Sequence, residues 1–303
     1  MALSEPADAS DPERGLRKAR LRYALILTAA VFVVELVGGL LSGSLALLAD
    51  AAHMFADVGA LILAFTAMTL AERPPTRRHT FGLYRAEVLA AFVNAEILLG
   101  ISVYIFYESY RRFHAPPEIR TGLMMWIAAT GLLANLLAVG LLHGKRADSL
   151  NLRAVYLEVL SDALGSLGVL VAALVMRPTG WYWLDPAVSV GIGFLVLPRT
   201  ISLLKQSTHI LLEGTPSEVD LASVRRQILD IPGVEEIHDL HFWTLTSGIH
   251  SASVHVRAAA DSPRGQVLRA VQRFLSEEAG VDHATVQVEW SAEVLCETTR
   301  DHE

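Results

Sequence analysis

The chain has little cysteine and little charge. Cys296 is the single cysteine among 303 residues, which excludes a disulfide framework and a zinc finger built on cysteines. Charged residues make up 19% of the sequence, whereas soluble domains usually have about a quarter. Hydrophobic residues make up 52%, and the mean hydropathy is +0.39. This composition favours a membrane protein with several spans and a soluble remainder.

Basic character is lacking in the C-terminal part of the chain. From residue 209 onward, 16 acidic residues outnumber 7 basic ones. An acidic segment of this kind does not favour binding to nucleic acid or to anionic lipid. It can attract cations, although exposed carboxylates are usually only solvated. We therefore expect no nucleic-acid partner.

Six apolar stretches are long enough to cross a bilayer, which takes about 20 residues each. They are Leu21–Leu41, Ser44–Ala71, Arg85–Tyr107, Thr121–Leu142, Arg153–Met176 and Trp183–Leu204. Pro74-Pro75, Pro116-Pro117 and other breakers separate them. The sequence therefore predicts a polar N-terminal tail at 1–20, a transmembrane domain of six helices at 21–208 and a soluble domain at 209–303.

The basic residues near the predicted helix ends indicate the orientation in the membrane. Twelve of them lie on the side of the N-terminal tail, and four lie on the other side. Because basic residues concentrate on the cytoplasmic side, both termini are predicted to be cytoplasmic. Residues 1–20 are polar and do not resemble a cleaved signal, so the first apolar stretch is expected to stay as a helix. We expect a multi-pass protein of the plasma membrane.

Two pairs of ionisable residues lie within the predicted spans. His53 and Asp57 are four positions apart in the second helix, and Glu158 and Asp162 have the same spacing in the fifth. Residues four apart on an α-helix share one face. A charged side chain inside a membrane is costly, so it normally faces the bundle interior and has a partner. The spacing therefore predicts two polar faces that meet inside the bundle.

Two such faces can hold one divalent cation between them. An imidazole with three carboxylates suits Zn²⁺, and also Co²⁺, Fe²⁺ or Mn²⁺. The alternative is a pair of buried hydrogen bonds that only fix the packing of the helices. No lysine or arginine lies at 44–71 or 154–176, the stretches around the two pairs, so none beside them in the helix neutralises the carboxylates, which would otherwise have to stay partly protonated. The cation site is therefore the favoured interpretation.

Other polar residues also fall within the spans. Asp50 lies one turn before His53, where it is a candidate acceptor for the imidazole or a charge on the entry path. A solvated aspartate at the helix end is an equal alternative. Asn94, a further accessory candidate, is interpreted with Glu35 and Glu96 as a residue that joins helices or relays protons rather than as a ligand.

Five segments, in order along the chain, carry a resemblance to a known family. They are SLALLADAAHMFADV (Ser44–Val58), HTFGLYRAEVLAAFVN (His79–Asn94), SLNLRAVYLEVLSDALGS (Ser149–Ser166), HDLHFWTLTSG (His238–Gly248) and HATVQVE (His283–Glu289). Together they resemble the cation diffusion facilitator family, the zinc-type divalent metal cation/proton antiporters. The resemblance covers nearly the whole chain.

The resemblance implies a fold and a function. It implies a homodimer of chains with six transmembrane helices, cytoplasmic termini and a C-terminal α+β domain of the ferredoxin-like type. The transport site of the family falls here on His53, Asp57, Glu158 and Asp162. The implied function is secondary-active efflux of divalent transition-metal cations from the cytoplasm in exchange for protons. Zinc is the first candidate, with cobalt, cadmium, iron and manganese as further ones.

The sequence departs from the zinc members at two points. They typically have histidine where this chain has Glu158, and a harder, more anionic ligand set is expected to broaden the metal preference or change the number of protons exchanged. Zinc members also often have a histidine-rich loop between the fourth and fifth helices. Here that loop is reduced to His143, so we predict no metal-collecting loop.

Hydropathy changes to soluble patterning after Lys205. The periodicity predicts helices and strands in the order αββαβ, namely Glu218–Ile231, Glu235–Leu245, His250–Arg257, Gly265–Gly280 and Ala284–Trp290. The resemblance places a regulatory metal ion on His238, His255 and Glu289, and Cys296 is a candidate further ligand from the tail. The alternative is that these are ordinary surface histidines.

Two rival functions come from other classes. An intramembrane zinc hydrolase needs a general base and an open coordination position, but the chain has no HExxH motif and Asp50 is the one spare base nearby. A membrane-anchored metal-sensing receptor would bind ions with its tail and use the helices as anchors. That role does not account for carboxylate pairs inside the spans. We therefore expect a transporter and not an enzyme.

Overall fold

The computed structural model describes residues 29–71, 75–143 and 150–289. The tail predicted at 1–20, the end of the last predicted strand at Trp290 and the candidate ligand Cys296 lie outside these ranges. The chain divides into two compact units. They are Met1–Ile62 with Asn94–Ser202, and Leu63–Val93 with Leu203–Glu303.

Long helices coincide with the predicted spans. They are α1 (Ala29–Ser42 in its described part), α2 (Leu45–Ala71), α3 (Arg85–His114), α4 (Thr121–His143), α5 (Leu150–Thr179) and α6 (Leu184–Leu211). Among the described residues, α3, α4, α5 and α6 contain stretches long and apolar enough to cross a membrane. The described part of α1 and the segment Leu45–Ala56 of α2 are shorter apolar helices. The chain thus has a helical transmembrane domain, and the count of six spans stays a prediction.

Two helices, α3 and α6, continue about two turns past their predicted ends. The α3 helix runs beyond Tyr107 to His114, because Glu108 forms ion pairs with Arg111 at 3.0 Å and Arg112 at 3.1 Å on the next turn. Such pairs three and four positions apart support a polar helix end. The α6 helix likewise runs beyond its predicted end and past the boundary predicted at residue 208.

The helical bundle packs around a core of small and medium apolar side chains. The core includes Ala46, Leu47, Ala49, Met124, Ala128, Val169, Ala172, Ala173, Met176 and Ile192. Small residues at helix contacts let the backbones approach closely. Large apolar side chains such as Trp126 and Phe194 point outward and are exposed. An apolar outer surface of this kind suits lipid rather than water.

The first turn of α2 is capped by a carboxylate from another helix. Asp185 of α6 accepts hydrogen bonds from Ser44 Oγ at 2.6 Å, Leu45 N at 2.8 Å and Ala46 N at 3.2 Å. Arg112 of α3 donates to the same carboxylate at 3.4 Å. The first N–H groups of a helix have no partner within it, so this cap ties the start of α2 to α6 and α3.

The C-terminal part contains a small sheet. Its elements are α7 (Leu221–Leu229), β1 (Val234–Thr246), β2 (Ile249–Ala258), α8 (Arg264–Arg273) and β3 (His283–Glu289). Their order, αββαβ, is the predicted one. The α8 helix ends earlier than predicted, in a π-helical turn at Phe274–Glu278. In the sheet, β1 pairs antiparallel with β2, and β2 pairs parallel with β3.

Both helices of this part pack on one core with the sheet. Val254 and Val256 of β2 are buried together with Ile228 of α7 and Val271 of α8. Successive side chains of a strand point to opposite faces of the sheet, so the residues between the buried valines lie on the other face, where polar side chains can be accommodated. The register between β1 and β2 pairs His238 with His255 and is irregular between His238 and His241.

Candidate metal centres

The membrane part brings together one residue from each predicted pair. His53 Nε2 of α2 lies 3.2 Å from Asp162 Oδ1 of α5. Both side chains are largely buried, with 13% and 10% of their surface exposed. Asp162 Oδ1 nevertheless accepts no hydrogen bond from the described residues, so the two atoms are close but not aligned as donor and acceptor.

This distance fits two ligands of one metal ion. With metal–ligand bonds of about 2.0–2.1 Å, two ligands of a tetrahedral ion lie about 3.3 Å apart. A charge-assisted hydrogen bond between the same groups would be shorter, at about 2.7–2.9 Å, and well aligned. The separation of His53 and Asp162 is therefore compatible with the edge of a coordination tetrahedron.

The other two predicted ligands are Asp57 and Glu158. They belong to α2 and α5, but their side chains fall outside the part of the chain whose side chains the structure describes. Both helices are continuous through these positions. Helical periodicity therefore keeps each of them one turn from His53 or Asp162.

Asp50 is buried, with 3% of its surface exposed, so the alternative of a solvated aspartate is wrong. Its Oδ2 accepts a hydrogen bond from Ser166 Oγ of α5 at 3.1 Å. Gly165 makes room for it, because a Cβ at that position would lie 3.1 Å from Asp50 Oδ1. The Asp50 carboxylate therefore contacts α5, the helix that carries Asp162, at Ser166, which lies one turn after Asp162.

Asn94 joins two helices. Its Nδ2 donates to the carbonyl oxygen of Ala56 in α2 at 3.4 Å, and 5% of the residue is exposed. A Cβ at Gly59 would lie 3.0 Å from the Asn94 side-chain oxygen, so the glycine admits this contact. Asn94 thus holds α3 against the stretch of α2 that carries the predicted ligands.

An apolar pocket borders His53. Its walls come from α2, α3 and α6 and are formed by Ala49, Ala52, Leu98, Ile101, Ser102, Ile105, Ile192, Gly193 and Val196. Apolar walls keep the local dielectric constant low and strengthen the attraction between a cation and its carboxylate ligands. The pocket therefore places His53 at the border between polar groups and an apolar wall.

The C-terminal part contains a second cluster of ligand groups. His238, His255 and Glu289 each offer one ligand atom, and these atoms all lie within 4.8 Å of one another. His238 Nε2 is 3.4 Å from Glu289 Oε2, and His255 Nδ1 is 3.3 Å from Glu289 Oε1. These separations again match the edges of a tetrahedral zinc site, which are about 3.3 Å long.

The sheet positions this cluster. The antiparallel register places His238 opposite His255, with ring centroids 5.2 Å apart. Glu289 comes from the end of β3, and it is 5% exposed. The buried atoms His238 Nε2 and His255 Nδ1 accept and donate no hydrogen bond among the described residues. Buried nitrogens without a hydrogen bond that face a carboxylate are the donor set expected of a metal ion.

Sequence reasoning missed two residues around this cluster. Asp239 adopts a positive φ of 54° at the irregularity in β1, and its Oδ1 lies 2.9 Å from His241 Nε2. Its other oxygen lies 3.9 Å from His255 Nε2. Gln287 donates to Glu289 Oε1 at 2.9 Å. The spacing HDLH in the sequence was the available signal for Asp239, whereas Gln287 had none.

The remaining histidines of the sheet have other contacts. His250 Nδ1 lies 3.3 Å from Thr244 Oγ1, and His283 packs edge-on against Phe81 with ring centroids 5.7 Å apart. Neither belongs to the ligand cluster of His238, His255 and Glu289.

Two family models match the chain and together cover most of it. Residues 21–212 match the cation efflux transmembrane domain, and residues 216–291 match the cytoplasmic domain of cation efflux proteins. The boundary between the two matches follows the end of α6 at Leu211.

Three relatives are similar over most of their length. The metal cation efflux system protein CzcD of Cupriavidus metallidurans is 47% identical over 89% of this chain and 85% of its own. The zinc transporter ZitB of Escherichia coli is 44% identical over 89% of this chain and 87% of its own. The cadmium, cobalt and zinc/H(+)-K(+) antiporter of Bacillus subtilis is 40% identical, over 95% and 97%.

Proposed function

The chain belongs to the cation efflux family, and we propose that it exports divalent transition-metal cations from the cytoplasm in exchange for protons. Members of this family are cation transporters and not enzymes. The proposed substrate is zinc, with cobalt, cadmium, iron and manganese as further candidates. The metal is cargo at the membrane site and a bound regulator at the cytoplasmic one.

The contact between His53 and Asp162 carries this proposal. An imidazole nitrogen and a carboxylate oxygen 3.2 Å apart, largely buried, lie on two different helices. Asp57 and Glu158 complete the proposed ligand set. Asp57 follows His53 by one helical turn, and Glu158 precedes Asp162 by one turn. Asp50 and Asn94 support this set, through α5 and α2 respectively, without joining it.

Chemistry and relatives both support zinc as the substrate. An imidazole with carboxylates suits zinc and the neighbouring divalent metals, and it excludes the all-oxygen environment typical of magnesium. The relatives' names include zinc alone, and zinc with cadmium and cobalt. Glu158 stands where zinc members of the family typically have a histidine. The ligand set is therefore more anionic, and we expect it to accept more than one of these ions.

Proton exchange follows from the same ligands. Histidine and carboxylate bind metal only when they are deprotonated, so an arriving ion displaces protons and a returning proton displaces the ion. Binding from the cytoplasm and protonation from the outer side then drive export as the helices rock between two open states. The relative named as an antiporter supports this coupling.

The proposed architecture is a homodimer in the plasma membrane. Each protomer has six spans and cytoplasmic termini, supported by the basic residues near the helix ends. The match to the cytoplasmic domain of cation efflux proteins supports dimerisation, and the αββαβ order is compatible with a ferredoxin-like domain. A domain of this size gains stability from such pairing.

We assign the cytoplasmic cluster to a regulatory ion. The two buried histidine nitrogens and the Glu289 carboxylate fit zinc in kind and spacing. Cys296 lies outside the described residues and stays a candidate fourth ligand. Since these three ligands come from three strands, an ion here would fix the sheet.

The experiment is zinc uptake by proteoliposomes that contain the full-length protein under an imposed pH gradient. Asp162→Ala and Asp57→Ala are expected to abolish uptake. Glu118→Gln, which changes an exposed carboxylate, is the matched control and is expected to transport like the wild type. Wild-type uptake by both aspartate variants would contradict the site.

The receptor alternative is tested in the same vesicles. If the helices only anchored a sensor, no variant would show metal flux above that of empty vesicles. Glu289→Gln removes a ligand of the cytoplasmic cluster and leaves the membrane site intact. We expect this variant to bind less metal in total and still to transport zinc.

A further inference from the structure

Glu35 is a buried carboxyl group that the transport site does not use. It lies on α1 and none of its surface is exposed. Neither of its carboxylate oxygens accepts a hydrogen bond from the described residues. A carboxylate in these surroundings lacks the hydrogen bonds and the cation that would stabilise its charge.

The neighbouring helix is shaped to admit this group. A Cβ at Gly131 of α4 would overlap Glu35 Oε1, so a residue with a side chain would displace the carboxyl. The same Cβ would lie 3.5 Å from Ser166 Oγ of α5. The Glu35 carboxyl and the Ser166 hydroxyl therefore both lie close to one point on α4.

A chain of polar groups continues from Ser166. Its hydroxyl donates to Asp50 Oδ2 at 3.1 Å, and Asn135 Nδ2 of α4 lies 3.5 Å from the same hydroxyl. All three side chains are buried, with at most 8% exposed. Asp50 is followed one turn later by His53, so polar groups lead from Glu35 toward the proposed metal site.

Among the described residues, the titratable groups that interact electrostatically with Glu35 are carboxylates. Asp50 of α2 and Asp162 of α5 are within electrostatic range, and α4 presents Gly131 and Asn135, which do not titrate. Among the described ion pairs, no lysine or arginine partners Glu35 or Asp50. A charged Glu35 would therefore be buried with neither a hydrogen bond nor a cation among the described residues, which is unfavourable.

A metal ion is a poorer occupant for this cluster. Among the described side chains, the group of three or more ligands close enough to hold an ion is the cytoplasmic one, not the cluster around Glu35. A proton needs a single carboxyl oxygen, and a metal needs several converging ligands.

We infer that Glu35 is a proton-binding site of the transport cycle, separate from the metal ligands. The inference rests on the proposed metal/proton exchange. In the state described, the proton is bonded to a Glu35 carboxyl oxygen. When the bundle opens to water, that O–H bond breaks, the proton passes to water and Glu35 is left as a carboxylate. Reprotonation from the opposite side restores the neutral carboxyl.

The test is zinc transport by full-length protein in proteoliposomes, with and without a pH gradient. A gradient is expected to accelerate zinc flux by the wild type. In Glu35→Gln, which keeps the shape and cannot release a proton, we expect this acceleration to disappear while zinc still binds. Glu118→Gln is the control and is expected to respond like the wild type. Undiminished acceleration in Glu35→Gln would overturn the inference.

The outcomes separate this inference from the proposed function. If the wild type does not respond to the gradient, metal/proton exchange itself fails. If the wild type and Glu35→Gln respond equally, exchange stands and the role of Glu35 is lost.

Infrared spectroscopy gives a readout that does not depend on the variant folding. Wild-type protein labelled with [¹³C]glutamate is expected to show an isotope-shifted band of a protonated glutamic acid near neutral pH. A spectrum with ionised glutamates alone would overturn the inference.

Discussion

His53 Nε2 lies 3.2 Å from Asp162 Oδ1, and yet the two groups are not aligned as a hydrogen bond. A pair that served only to pack α2 against α5 would be expected to align, because an unmade hydrogen bond in a buried site is unfavourable. The same combination of short distance and poor alignment recurs at His238, His255 and Glu289. At both clusters an imidazole nitrogen therefore lies close to a carboxylate oxygen without a hydrogen bond, which is compatible with the proposed ligand sets.

Acidic pH should weaken zinc binding at the membrane site. Because His53 and the carboxylates bind metal in deprotonated form, each displaced proton lowers the apparent affinity by about tenfold per pH unit. Calorimetric titration of the Glu289→Gln protein, which lacks a ligand of the cytoplasmic site, measures this dependence. An affinity that is constant across the neutral and mildly acidic range would argue against protonatable ligands.

Glu158→His should shift metal selectivity toward zinc. The substitution replaces a hard anionic ligand by an imidazole, which favours zinc over manganese and iron. Transport competition among zinc, cobalt, cadmium, iron and manganese, with wild-type and variant proteins side by side, measures the shift. An unchanged order of preference would mean that residue 158 does not contact the ion.

The cytoplasmic site should be removable without loss of the fold. Glu289→Gln is expected to reduce bound zinc by one ion per protomer and to remove the stabilisation that zinc provides through this one site, about 2.7 kcal/mol at a hundredfold excess over the Kd of the site. Equilibrium dialysis and thermal unfolding of the full-length protein provide the measurements. His114→Gln, at an exposed histidine of α3, serves as the control and should keep both properties. Equal zinc content in Glu289→Gln and the wild type would exclude this carboxylate as a ligand.

The sequence was sufficient for much of the helical architecture. Apolar stretches of spanning length predicted α4 and α5 to within a few residues, because hydrophobicity alone decides where such helices lie. Hydropathy was less reliable for predicting where a helix with a polar end stops. The extension of α3 to His114 depends on Glu108 and its arginine partners, and hydropathy does not register ion pairs.

The candidate sites were predictable in part for a similar reason. Spacing of four residues marks one face of a helix, so His53 and Asp162 could be singled out before their helices were brought together. Contacts between residues far apart in the sequence have no comparable spacing pattern and could not be predicted. Nothing local in the sequence indicates that Ser166 donates to Asp50 or that Gly131 lies against Glu35, because these depend on how the helices pack.

Two glycines of α4 should respond oppositely to substitution. Gly131→Ala places a methyl group against Glu35 and is expected to destabilise the protein by about 1–3 kcal/mol, the usual cost of overpacking. Gly140→Ala meets no atom within 4 Å and should gain up to about 1 kcal/mol through helix propensity. Thermal unfolding in detergent compares the pair. A Gly131→Ala protein as stable as the wild type would mean that Glu35 can move away freely.

Asp185→Asn should destabilise the membrane part. The carboxylate of Asp185 accepts from the first turn of α2 and pairs with Arg112, so its neutralisation leaves buried donors poorly satisfied, at a cost of about 1–3 kcal/mol. Thermal unfolding followed by helical circular dichroism measures the loss. The exposed Glu118→Gln is expected to unfold like the wild type, and equal stability of the two variants would show that the cap is dispensable.

The position of a bound ion tests the central claim most directly. We predict that crystals of the full-length protein grown with zinc show an anomalous scattering peak about 2.0–2.2 Å from both His53 Nε2 and the Asp162 carboxylate. Anomalous density at the cytoplasmic cluster alone, with none between α2 and α5, would contradict the assignment of His53 and Asp162 to a transport site.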